Sequence, residues 1–166
     1  MENINGKNLK TLSFISDLVK IGDLQYYEGS LMTLFENTKN QDIYLFDWVD
    51  GDTQFNRWLV YLVNPIDIIK YLDLTMTHFS LIKASAEIYI VDLDKHHSYH
   101  NIKELNFSQI INDYLPQSDS LFDAVDCKDI ERIKNKLALL IARKENPHSV
   151  DYAMASEPAA PDYGKS

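Results

Sequence analysis

A single cysteine, Cys127, five glycines and five prolines are all that the 166-residue chain carries of the residue types that staple, loosen or kink a backbone. One cysteine excludes an intrachain disulfide and a four-cysteine zinc site, and favours a reducing, cytoplasmic setting. So few glycines leave little material for long loops. Neither a G-x-x-x-x-G-K-[ST] loop, a G-x-G-x-x-G nor a G-x-S-x-G occurs, which removes the common nucleotide-binding and serine-hydrolase signatures. No apolar run approaches the ~20 residues of a membrane span, and MENINGKNLKTLSF has no stretch suited to a signal peptide. The expectation is a soluble protein with no membrane contact and no cofactor.

Positive charge is also scarce. The formal net charge is −9, and its spread is uneven. Residues 1–126 hold nine Lys/Arg against nineteen Asp/Glu, residues 127–146 hold six against three, and residues 147–166 one against three. An acidic body repels phosphate backbones, so nucleic acid is an unlikely partner.

What is present is a globular composition, 45% hydrophobic, with ten tyrosines and two tryptophans. A chain of this length buries about 70% of the surface its unfolded form exposes, so it folds without staples. SLMTLFE (30–36), DIYLFDWV (42–49), RWLVYLV (57–63) and EIYIVDL (87–93) are rich in β-branched and aromatic residues and read as strands. Short polar turns between the first three predict an antiparallel meander. In 42–49, Tyr44, Phe46 and Trp48 alternate with Ile43, Leu45 and Val49, so both faces of the sheet call for cover. Asp47 interrupts the second set.

Asn64-Pro65 starts a helix, with Ile66, Ile69 and Leu72 as its expected buried stripe. THFSLIKAS adds a second helical turn. Residues 94–106 read as irregular, then Phe107, Ile110, Ile111 and Tyr114 suggest a short helix that Pro116 ends. The strongest helix is the last, capped by Asp126, with Ile130, Ile133, Leu137, Leu140 and Ile141 at 3–4 spacing and Arg143 and Lys144 near its C-terminus. Thr11–Tyr27 reads equally as helix or strand. The expected organisation is a flexible N-terminus (1–10), one α+β domain (11–146) and a disordered tail (147–166). Its centre is a mainly antiparallel sheet of four to five strands with short helices and a C-terminal amphipathic helix.

Three groups of residues bear on function. VDLDKHHSYH places His96, His97 and His100 beside Asp92 and Asp94, a donor set suited to a zinc or iron hydrolase; the bland alternative is a strand running into a polar loop. DWVDGD clusters Asp47, Asp50 and Asp52, but no EF-hand ligand series continues from it. Cys127 lies near an expected helix N-terminus, where a thiolate is favoured, yet no histidine motif accompanies it. For partner binding, the aromatic excess points to Tyr26, Tyr27, Trp48 and Trp58. The basic helix points to Arg132, Lys136 and Arg143 as contacts for an acidic partner, a second copy of the chain being one candidate.

The segment from Tyr26 to Asp94 resembles a family of small bacterial domains of unknown function. The resemblance rests on Tyr26, Tyr27 and Gly29 in a lead-in, Tyr44, Leu45, Trp48, Val49 and Asp50 in one strand, and Arg57, Trp58 and Leu59 in the next. It implies a small α+β bacterial module and transfers no catalytic residue. The sequence therefore leads to a non-enzymatic protein-interaction module, an accessory or regulatory subunit of a bacterial or phage system. Its rivals are a metal-dependent hydrolase built on the histidine cluster and an acidic inhibitor that imitates nucleic-acid charge.

Overall fold

In the computed structural model, residues 15–146 are described. The flexible terminus and the tail expected from sequence lie outside them. The chain forms six strands, β1 (Leu18–Tyr26), β2 (Ser30–Asn37), β3 (Ile43–Gly51), β4 (Asn56–Val63), β5 (Ile88–Leu93) and β6 (Tyr99–Leu105). They make one antiparallel sheet in strict chain order. Helices α1 (Pro65–Leu72) and α2 (His78–Lys83) occupy the β4–β5 connection, and α3 (Ile130–Glu145) closes the fold. The α+β class stands, with six strands rather than four or five.

Both added strands are edges. β1 resolves the segment that read as either helix or strand; its pairing with β2 has three register shifts, which blur any period-2 pattern. β6 replaces the expected irregular region. Its residues are mostly exposed, because an edge strand over a half-covered sheet has no continuous apolar face to advertise it. The short helix expected near 107–114 is two separate 3₁₀ turns, Phe107–Gln109 and Asn112–Tyr114.

The two faces of β3 carry different clusters. Ile43 and Leu45 join Leu34, Leu59, Tyr61 and the helices in the larger core. Tyr44 and Phe46 lie on the reverse with Val60, Tyr89 and Val91, and Ile15, Phe35 and Trp58 pack against them. Helix α1 starts where its sequence indicates, the Asn64 side chain accepting from the Ile66 N–H with Pro65 in the first turn. Its stripe is Ile68, Tyr71 and Leu72, however, and Ile66 is exposed. Tyr71 takes the inward position, its ring against Phe122. Helix α3 begins at Ile130 with Asp129 in the N-cap position, later than Asp126 would place it, and buries Ile133, Leu137 and Leu140.

That helix also packs on the core face of β1. Arg132 Nη1 donates to the Ile21 carbonyl at 2.8 Å, and Ile133 crosses Gly22 so closely that a Cβ there would lie 2.7 Å from its Cδ1. A side chain at position 22 would force Ile133 to shift, so close approach, not backbone conformation, favours glycine there. Among the described residues, no helix is long and apolar enough to cross a membrane.

Candidate functional site

The histidine stretch is a hairpin turn. Asp94 Oδ1 accepts from the His96 and Ser98 N–H groups at 2.8 and 3.0 Å, and His97 takes the left-handed conformation at φ 61°. The chain then reverses into β6. His100 Nε2 lies 2.7 Å from Asp94 Oδ2, and its ring packs tilted against Phe55 with centroids 4.8 Å apart. Hydrogen bonds from His100 and the turn hold the Asp94 carboxyl at about 2. Asp92 points elsewhere, so the five residues do not converge. Among the described residues no three His, Cys, Asp or Glu side chains are placed to hold one metal ion.

The aspartates of DWVDGD also separate. Asp52 caps its own turn, accepting from the Gln54 and Phe55 N–H groups. Asp47 turns into the core and meets His78, whose Nε2 lies 2.7 Å from Asp47 Oδ2 and 3.1 Å from the Tyr61 hydroxyl. A carboxylate only accepts, so the Nε2 hydrogen goes to Asp47. Burial pushes the fully enclosed Tyr61 hydroxyl well above its ordinary pKa. This cluster is sealed and holds α2 to β3 and β4.

Asp50 belongs to a second network, and this one is open. Register brings Arg57 opposite Asp92 and Asp92 opposite Asn101 across β4, β5 and β6. The guanidinium clasps Asp92 through Nε (2.8 Å) and Nη2 (3.0 Å), and Nη1 donates to the Tyr114 hydroxyl at 3.2 Å. Tyr114 donates in turn to Asp50 Oδ2 at 3.3 Å, and Asn101 Nδ2 adds a third donor to Asp92 at 3.1 Å. The Arg57 bond holds Asp92 below the usual carboxylate range despite burial, and Asp92 raises Arg57 in return. The Arg57 side chain remains 40% exposed.

This network floors a groove of about 590 Å³ between β4–β6 and the 3₁₀ turns, with Lys103, Gln109 and Ile111 among its walls. A smaller depression of about 140 Å³ adjoins it across Arg57 and is lined by Asp50 and Asp52. The groove holds a fixed guanidinium, an ammonium and amide groups above aliphatic walls. Such a set recognises a polar guest by charge and hydrogen bonds. No hydroxyl or thiol paired with a basic histidine lines it. From sequence, Asp92 and Arg57 stood in separate groups, and Asn101, Lys103 and Gln109 in none; only the register of three strands unites them.

The residues expected to bind partners fall in scattered places. Tyr26 and Tyr27 are exposed at the β1–β2 turn, where Gly29 at φ 141° permits the reversal. Trp48 and Trp58 face each other across β3 and β4. Trp48 is partly exposed and donates Nε1 to Asn56 Oδ1 at 3.1 Å, while Trp58 packs in the reverse-face cluster. Arg132 and Lys136 are engaged within the chain, Arg132 on Ile21 and Asp129 and Lys136 on Glu36 at 3.3 Å. Lys134 and Lys144 likewise meet Asp73 and Asp42, so the basic helix answers the acidic body of its own chain. Arg143 lies on the same helix near its C-terminus. Cys127 precedes that helix instead of starting it; it is buried, burial pushes its thiol up, and Sγ lies 3.6 Å from the Asp23 carbonyl. That disfavours the thiolate.

No protein-family model matches the chain, and comparison with curated proteins and with solved structures finds no match.

Proposed function

We propose that the protein is a non-enzymatic interaction module, an accessory or regulatory subunit that receives a protein partner in the groove over β4–β6. The observation carrying this reading is the Arg57–Asp92–Tyr114–Asp50–Asn101 network. Five side chains from five elements, four strands and a 3₁₀ turn, are held together by hydrogen bonds at a solvent-open groove, the preorganisation that recognition requires. The resemblance of residues 26–94 to small bacterial domains supplies the bacterial or phage setting. Charge on α3 supports an outward-facing partner less than sequence suggested, because Arg132 and Lys136 already have partners within the chain.

The test is site-specific photo-crosslinking in the native cell. A photoreactive side chain at Ile111, on the groove wall and half-exposed, should yield one discrete adduct. The same group at Val19, exposed on β1, should not. Adducts of equal yield from both positions, or none from Ile111, would sink the reading.

A further inference from the structure

We propose that the groove recognises a carboxylate, a Glu or Asp side chain flanked by aliphatic residues in an extended segment of the partner protein, with Arg57 and Lys103 as the anion-binding pair. This deepens the interaction reading above and rests on it.

Charge singles out the groove. The chain as a whole is acidic, at −9, yet the charged residues lining this groove are Arg57, Lys103 and Asp92. Asp92 is already neutralised by the bidentate guanidinium and the Asn101 amide. Unlike Lys134, Lys136 and Lys144, Lys103 has no acidic partner among the described residues. The Arg57–Asp92 pair is internally neutral, so the Lys103 ammonium is the uncompensated charge on the groove wall, and it is the group that attracts an anion.

The hydrogen-bonding inventory agrees. Of the five guanidinium N–H groups, three are spent on Asp92 and Tyr114, leaving one on each Nη. The Gln109 carbonyl oxygen is committed to the Asn106 N–H at 2.8 Å, so its amide nitrogen is the group left to donate to a guest. A carboxylate would therefore meet guanidinium N–H groups, an ammonium and an amide N–H. Ile90, Leu105 and Ile111 form the apolar part of the walls and suit aliphatic neighbours of that carboxylate. Asp50 and Asp52 in the adjoining depression repel a second anion on that side. Both the body charge and this acidic flank disfavour a polyanion such as nucleic acid.

The test titrates ¹⁵N-labelled protein with the blocked peptide Leu-Val-Glu-Leu-Val and with its Gln counterpart. The Glu peptide should shift the amides of 101–111, and the Gln peptide should bind at least about tenfold more weakly, since hydrogen bonds to a charged group are worth roughly 1.5–3 kcal/mol. Lys103→Glu should abolish that preference with an unchanged melting temperature, which keeps the result independent of folding. Equal binding of the two peptides, shifts centred elsewhere, or a short oligonucleotide that outcompetes the Glu peptide would overturn the carboxylate assignment. If the Glu peptide fails while the Ile111 crosslink still captures a partner, this inference falls and the interaction reading stands. Loss of the crosslink ends both.

Discussion

Two carboxylates on the same face of the sheet have opposite fates. Asp47 on β3 and Asp92 on β5 are both nearly buried, and each is met by a cationic or protonatable side chain. The Asp47 cluster is closed by Tyr61, Tyr71 and helix α2, leaving the His78 side chain 12% exposed. Arg57 over Asp92 is 40% exposed and keeps N–H groups to spare. A paired carboxylate is a fastener where the second layer is complete and lies in an open groove where that layer stops. The sheet supplies both positions; the cover decides between them.

Substitutions should separate the two clusters by size of effect. His78→Ala leaves the buried Asp47 side chain without its hydrogen-bond partner and should cost about 2–3 kcal/mol, the range for orphaning a buried acceptor; chemical unfolding measures it. Replacing both, Asp47→Leu with His78→Leu, should recover much of that loss, and a double variant weaker than either single one would refute the fastener role. Arg57→Gln should cost less, about 1–2 kcal/mol, because the guanidinium is half in solvent and Asn101 still serves Asp92.

Acid should act on the open side. Asp92 and Asp94 both have pKa values lowered in the folded chain, Asp94 to about 2. A depressed folded value means stability that is present above the unfolded value of roughly 4 and lost as pH falls through the folded one. Thermal melts should therefore keep this contribution from neutral pH down to about pH 4 and lose it between there and about pH 2. Asp94→Asn should flatten part of that decline; an unchanged acid limb would show that the turn carries none of it. The smallest stability effect belongs to Lys103→Glu, within about 0.5 kcal/mol for an exposed position, although it should change binding most.

The four central strands were readable because burial on two faces forces β-branched and aromatic residues into each of them. The apolar interruption at Asp47 was also visible, and it marked the closed cluster. Its partner was not, because His78 lies 31 positions away and across a helix start. β1 reads as either helix or strand and β6 as irregular, for complementary reasons. Bulges scramble the alternation of one, and a polar edge gives the other no alternation to show. The groove followed β6 into obscurity: Asn101 and Lys103 have no meaning as site residues until β6 is known to lie beside β5. The hydrophobic stripe of α1 keeps Leu72 as expected and adds Ile68 and Tyr71, while Ile69 packs partly buried against the core and Ile66 is exposed.

The covering of β1 by α3 orders the events of synthesis. Every strand pairs with its neighbour in the chain, so the sheet is built from local contacts and suits rapid, progressive assembly. The packing of its core face comes from residues 132 and 133, more than a hundred positions downstream of β1. At ribosomal rates of roughly 5–20 residues per second, β1 waits on the order of ten seconds before the helix that packs on it is made. Its bulged pairing with β2 is then the nascent chain's protection against strand exchange with neighbouring copies, and chains released before α3 should be the ones that aggregate.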